Sequence, residues 1–123
     1  PFGRRGCAYG DCGPVRGRAS VIPRYVEALL AELAVRPLLT HPATVYFGGG
    51  TPSLLPADAI ARLLDAAGGA PAEVTVEANP GSASSRKAAA LHRGGINRIS
   101  LGVQSWDDQL LQGLGREHSA AQA

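Results

Sequence analysis

The sequence predicts an α/β domain built on a parallel sheet. Three observations lead there. Apolar residues switch repeatedly between helical spacing and short β-rich runs. The order reads helix, strand, helix, strand, helix, strand, helix. Glycine or proline marks nearly every junction. Such alternation argues for parallel strands joined by helical crossovers. Spacing alone leaves two closures open, a doubly wound open sheet or part of a barrel. In both, functional groups collect at the carboxyl ends of the strands.

Residues 1–20 read as loop, because Gly and Arg dominate and no period is visible. Pro23 suits the first turn of a helix that ends before Pro37, and Val26, Leu29, Leu30 and Leu33 share one face. Residues 43–47 form a β-rich apolar run stopped by Gly48, Gly49 and Gly50. Residues 54–67 are helical, with Ile60, Leu63, Leu64 and Ala67 aligned, and Gly68-Gly69 ends them. A strand follows at 73–77, a helix from Ser84 to about His92, and a strand over 96–103. The last helix spans 106–114, with Asp107 and Asp108 in its first turn, where acids suit the helix dipole.

Composition narrows the function classes. With 45% hydrophobic and 18% charged residues, the chain can bury a core and is not a disordered segment. A net charge of +2 gives no electrostatic reason to expect nucleic acid. No apolar run reaches membrane-spanning length and no secretory pattern opens the chain, so the cytoplasm is the expected compartment. Cys7 and Cys12 are the two cysteines, too few for a secreted disulfide scaffold. They form no zinc signature with the scattered His41, His92 and His118.

Three strand ends carry residues that suit a ligand. Gly48, Gly49 and Gly50, followed by Thr51-Pro52-Ser53, lie between a strand and a helix. Glycines there let a ligand approach the backbone and permit positive φ. The run is no Walker loop, since no Gly-Lys-Ser/Thr follows, and it lacks the dinucleotide spacing. A tight strand-to-helix turn accounts for it equally well. Glu77-Ala78-Asn79-Pro80-Gly81 ends the next strand; its carboxylate suits a ligand amine or hydroxyl, or is a solvated acid before a turn. Ser100, Gly102 and Gln104 make a small, polar face at the third strand end, where Gln104 binds a ligand or caps the next helix.

Taken together these segments resemble one family. Residues 1–11, Pro-Phe-Gly-Arg-Arg-Gly-Cys-Ala-Tyr-Gly-Asp, are similar to a segment that ends in C-x-x-x-C-x-aromatic-C followed by Asp. Residues 45–53, 76–81, 100–105 and 115–120 follow in the family's order. The chain thereby resembles the oxygen-independent coproporphyrinogen III oxidase-like radical SAM proteins. Gln104-Ser105, the Gly-Arg-x-His-Ser ending and Asp11 look more like the haem-chaperone branch, whereas Cys12 falls where the oxidases carry a fourth cysteine.

The resemblance implies a partial (β/α) TIM-like barrel. Residues 1–20 would be its cluster loop and 21–123 its alternating elements, with an initial strand expected before Pro1 and further strands and a C-terminal domain after Ala123. It implies S-adenosyl-L-methionine (SAM) and a 4Fe–4S cluster on three thiolates. Gly48, Gly49, Gly50 and Thr51 would hold the methionyl end of SAM, Glu77 and Gln104 would face it, and Tyr9 would precede the third ligand. The sequence departs from the family at two of the three ligand positions, which are Gly3 and Gly10; Cys7 alone remains as metal ligand. No SAM cleavage is therefore expected. Two other functions fit the residues: a non-redox module binding SAM or haem, with His41, His92, His118 or Cys7 as haem ligands, and a phosphate- or nucleotide-binding domain using the 48–53 turn, which lacks a lysine. Open strand edges would favour association.

Overall fold

The computed structural model describes residues 2–3, 15–16, 19–36, 41–69 and 71–123. Two short strands, β1 (Phe2–Gly3) and β2 (Val15–Arg16), pair in parallel, Gly3 opposite Arg16. The expected loop over 1–20 therefore contains a pair of two-residue strands, too short to show any period in the sequence. Next come α1 (Ile22–Val35), β3 (Thr44–Phe47), α2 (Ala57–Ala66), β4 (Glu73–Ala78), α3 (Ser85–Arg93), β5 (Arg98–Leu101) and α4 (Asp108–Gly113). The three longer strands form one parallel sheet in the order β3-β4-β5.

Helix starts follow local chemistry. Pro23 lies in the first turn of α1, where a missing N–H costs nothing. α2 starts at Ala57 rather than 54, because Pro56 drives Leu55 into an extended conformation (φ −62°, ψ 146°). Residues Pro52–Leu54 instead make one 3₁₀ turn. Ser84 caps α3 by accepting from the Lys87 amide. Asp107 is the cap of α4, accepting from Gln109 and Leu110, so only Asp108 lies within the first turn. β5 is shorter than the expected 96–103 run because the Asn97 side chain takes the Val74 amide at 2.8 Å and the Ala72 carbonyl at 3.0 Å. It thus occupies a ladder position.

The core lies between the sheet and the helices. Val26 of α1, Ala59, Ile60, Leu63 and Leu64 of α2, Leu91 of α3 and Ile96 bury against Val74 and Val76 of β4. The period-2 rule puts Tyr46, Thr75, Glu77, Arg98 and Ser100 on the opposite face, which is polar. One sheet face is therefore greasy and helix-covered, and the other carries hydrogen-bonding groups. No helix among the described residues is long and apolar enough to cross a membrane.

Candidate functional site

The parallel register brings the ends of β3, β4 and β5 to one edge of the sheet. Beyond β3 the chain turns through Gly49 (φ 81°) and Gly50 (φ 53°), values that L side chains rarely adopt. A Cβ added at Gly49 would meet nothing within 4 Å, so there is open space beside its Cα. At Gly48 a Cβ would meet the Tyr46 ring at 2.6 Å, so only glycine allows the ring to lie there.

Glu77 ties this turn to β4. Its Oε2 accepts from the Gly49 amide at 2.8 Å, and its Oε1 accepts from the Tyr46 hydroxyl at 2.6 Å. Donation to Glu77 raises the Tyr46 phenol above its ordinary value, with partial burial and the nearby carboxylate charge adding to the effect. Ser100 and Arg98 act the other way on the same phenol.

Asn79 makes a second tie. Its Nδ2 donates to Thr51 Oγ1 at 3.1 Å, and its Oδ1 accepts from Arg116 Nη2 at 2.6 Å. Arg116 Nη2 also donates to the Gly102 carbonyl at 2.7 Å. A third tie joins the hydroxyls of Ser53 and Ser82 at 2.7 Å. Gln104 follows β5 with φ 77°, an unusual value for a residue with a side chain. Its Nε2 lies 3.0 Å from where a Cβ on Gly102 would stand, so glycine makes room for it. Buried His118 donates from Nε2 to the Val103 carbonyl at 3.0 Å; a carbonyl only accepts, so that nitrogen carries the proton.

Gly48, Gly49, Gly50, Thr51, Glu77 and Gln104 thus gather at one end of the sheet. Cys7 and Tyr9 lie outside the described residues, as does Gly10. Reading the sequence missed Tyr46 as a partner of Glu77; its alternation with Val45 and Phe47 was the available signal. It also missed Arg116, which no periodicity connects to the strand ends 14 and 37 residues away. His118, named above as a candidate haem ligand, is buried and bonded through Nε2 to the Val103 carbonyl.

A parallel sheet with a glycine turn and polar ties at its carboxyl edge fits a large class of proteins. The family model described as the radical SAM superfamily matches residues 1–123. The chain belongs to the radical SAM superfamily. It is 39% identical over 127 residues to the heme chaperone HemW of Lactococcus lactis, covering 99% of this chain and 33% of that protein. It is 37% identical over 132 residues to the oxygen-independent coproporphyrinogen III oxidase of Paracoccus denitrificans, covering 97% and 29%. Over 85 residues it is 53% identical to the mitochondrial radical S-adenosyl methionine domain-containing protein 1 of Bos taurus, covering 65% and 19%. Among solved structures, coproporphyrinogen III oxidase HemN from Escherichia coli, a radical SAM enzyme, superposes with a TM-score of 0.80 at 27% identity, covering 99% of this chain and 30% of that one. The chain therefore spans between about a fifth and a third of the length of these relatives. The partial-barrel expectation agrees with the radical SAM fold of HemN, of which the three parallel strands form part.

Membership implies SAM and a 4Fe–4S cluster. The strand-end residues suit the zwitterionic end of SAM: an anionic carboxylate at Glu77, a guanidinium at Arg116 and open backbone at Gly49. The donor set does not suit the cluster. The whole chain has two cysteines, and Gly3, paired through its backbone in β1, has no side chain to offer. Two thiolates cannot fill three positions.

Proposed function

We propose that this chain forms the SAM-holding strand ends of a HemW-like radical SAM protein, in a version that does not cleave SAM. The observation that carries the reading is the Glu77 carboxylate fixed on the Gly49 amide, beside a glycine turn open to a ligand. SAM supplies a cationic amine, a carboxylate and an adenosyl group. Glu77 is the acceptor for the amine. Arg116, held between Asn79 and Gly102, is the cation for the carboxylate. Thr51, fixed by Asn79, and Gln104 line the remaining edge. Gly48 and Gly50 keep the backbone close to the bound molecule. Cys7 and Tyr9 belong to residues 1–20, the proposed remnant of a cluster loop, while 21–123 carry the ligand-holding elements.

The HemW name of several relatives makes haem a further small-molecule candidate. Separate calorimetric titrations with SAM, haem and ATP test the reading. Heat with SAM alone is expected, and an absence of SAM binding would overturn it; a Soret shift without SAM binding would favour haem instead. The lack of cleavage has its own test. After anaerobic iron–sulfur reconstitution, optical and EPR spectra are expected to show no stoichiometric SAM-bound cluster. Such a signal would refute the claim.

A further inference from the structure

We propose that Tyr46 is a positioning residue: its hydroxyl fixes the Glu77 carboxylate so that Oε2 stays on the Gly49 amide. The ligand consequence rests on the SAM-binding reading above; the geometric claim does not.

A carboxylate on a strand end has two oxygens and a freely turning terminal torsion. Here each oxygen accepts one bond from the protein, which leaves a lone pair on each for a ligand amine. Tyr46 on β3 donates to Oε1 at 2.6 Å, and the Gly49 amide donates to Oε2 at 2.8 Å. The two donors lie three residues apart on one strand and its turn, so the carboxylate bridges the last strand residues to the glycine loop. Ser100, the register partner of Glu77 on β5, lies on the same face of the sheet. A polar row of Tyr46, Glu77 and Ser100 therefore spans the three strands, and its Glu77 carboxylate reaches the glycine turn. The Tyr46 ring is seated against Gly48, where a Cβ would approach it to 2.6 Å. The ring's place and the loop's shape are mutually dependent. Without the phenol hydroxyl, Glu77 regains its rotation and the turn loses the anchor on its amide.

Tyr46→Phe keeps the ring and removes only the hydroxyl, and the exposed position makes it tolerable to the fold. The readout is hydrogen exchange of the Gly49 amide, followed by NMR in the ligand-free full chain. Loss of one hydrogen bond of ordinary strength should speed that exchange about three- to tenfold. Glu77→Ala, which removes the acceptor itself, should speed it further. The Val74 amide, held by Asn97 at 2.8 Å, should keep its wild-type rate. Unchanged Gly49 exchange in Tyr46→Phe would overturn the proposal. So would a uniform acceleration that includes Val74, because the effect would then be general destabilisation. In calorimetry, Tyr46→Phe should weaken SAM by a similar factor, and equal affinity with wild type would overturn the ligand consequence. Failure of the wild-type chain to bind SAM would instead sink the functional reading, while faster Gly49 exchange would still support the positioning role.

Discussion

Single side chains hold the strand ends in place, and each tie predicts a measurable loss. Asn79 joins Thr51 on one side to Arg116 on the other. Asn79→Ala takes an acceptor from a part-buried guanidinium and a donor from a buried hydroxyl, so it is expected to cost about 1–3 kcal/mol in chemical denaturation. Glu73 makes a pH-dependent contribution away from the strand ends. Its carboxylate accepts from Thr75 Oγ1 at 3.0 Å and from Arg98 Nη1 at 3.0 Å. Those bonds, Thr75 first and Arg98 second, hold its pKa below the ordinary value of 4.5. The folded state thus favours the ionised form more than the unfolded chain does. The stabilisation is present above the ordinary value and is lost as pH falls through the lower folded one. Denaturation midpoints of wild type and Glu73→Gln should differ at neutral pH and converge in acid. A gap that persists or widens below that range would contradict the assignment.

Elements show where sequence patterns suffice and where they stop. Helical spacing identified the buried stripe of α2, since Ile60, Leu63 and Leu64 all reach the core. The stripe follows from a period of 3.6 residues, which needs no knowledge of partners. The positions of β3, β4 and β5 were legible from local pattern as well, whereas the two-residue β1 and β2 were too short to be. Boundaries shifted where a side chain or ring replaced a backbone bond: Pro56 delays α2, and Asn97 truncates β5. The strand-end position of Glu77 was legible, but its bonds to Tyr46 and Gly49 were not. They arise between residues 31 and 28 positions apart, a separation that no local pattern encodes. Packing at the α3 boundary gives two predictions. Leu91 is fully buried, so Leu91→Ala is expected to cost about 2–5 kcal/mol. Just after α3, Gly95 has φ 101°, and an added Cβ would stand 2.5 Å from Leu64 Cδ2. Gly95→Ala should cost about 1–3 kcal/mol, because strain and overlap add. Thermal unfolding of both variants checks the two values, and a neutral Gly95→Ala would show that the turn can relax.

At the scale of the molecule, the sheet leaves polar backbone and apolar surface to be covered. β4 is paired on both sides, whereas β3 and β5 each pair on one side within this sheet. Ile99 and Leu101 on β5 are partly exposed beside buried Val76 and Ala78, their register partners. Trp106 and Leu110 lie exposed in the segment that follows. An unpaired strand that carries apolar side chains is a template for another strand. The relatives are several times longer than this chain, and HemN extends well beyond the part that superposes. A polypeptide of these 123 residues is therefore expected to associate through β5 as its concentration rises. Light scattering coupled to size exclusion should show a mass above 12.6 kDa that grows with loading. Leu101→Lys places a charge on that edge without touching Glu77, Asn79 or Arg116. It should return the chain toward the monomer mass while keeping SAM affinity. A wild-type chain that stays monomeric at every concentration would show that the edge is protected. Association left unchanged by Leu101→Lys would move the contact away from β5, to the outer edge of β3 in this sheet, where exposed Tyr46 lies.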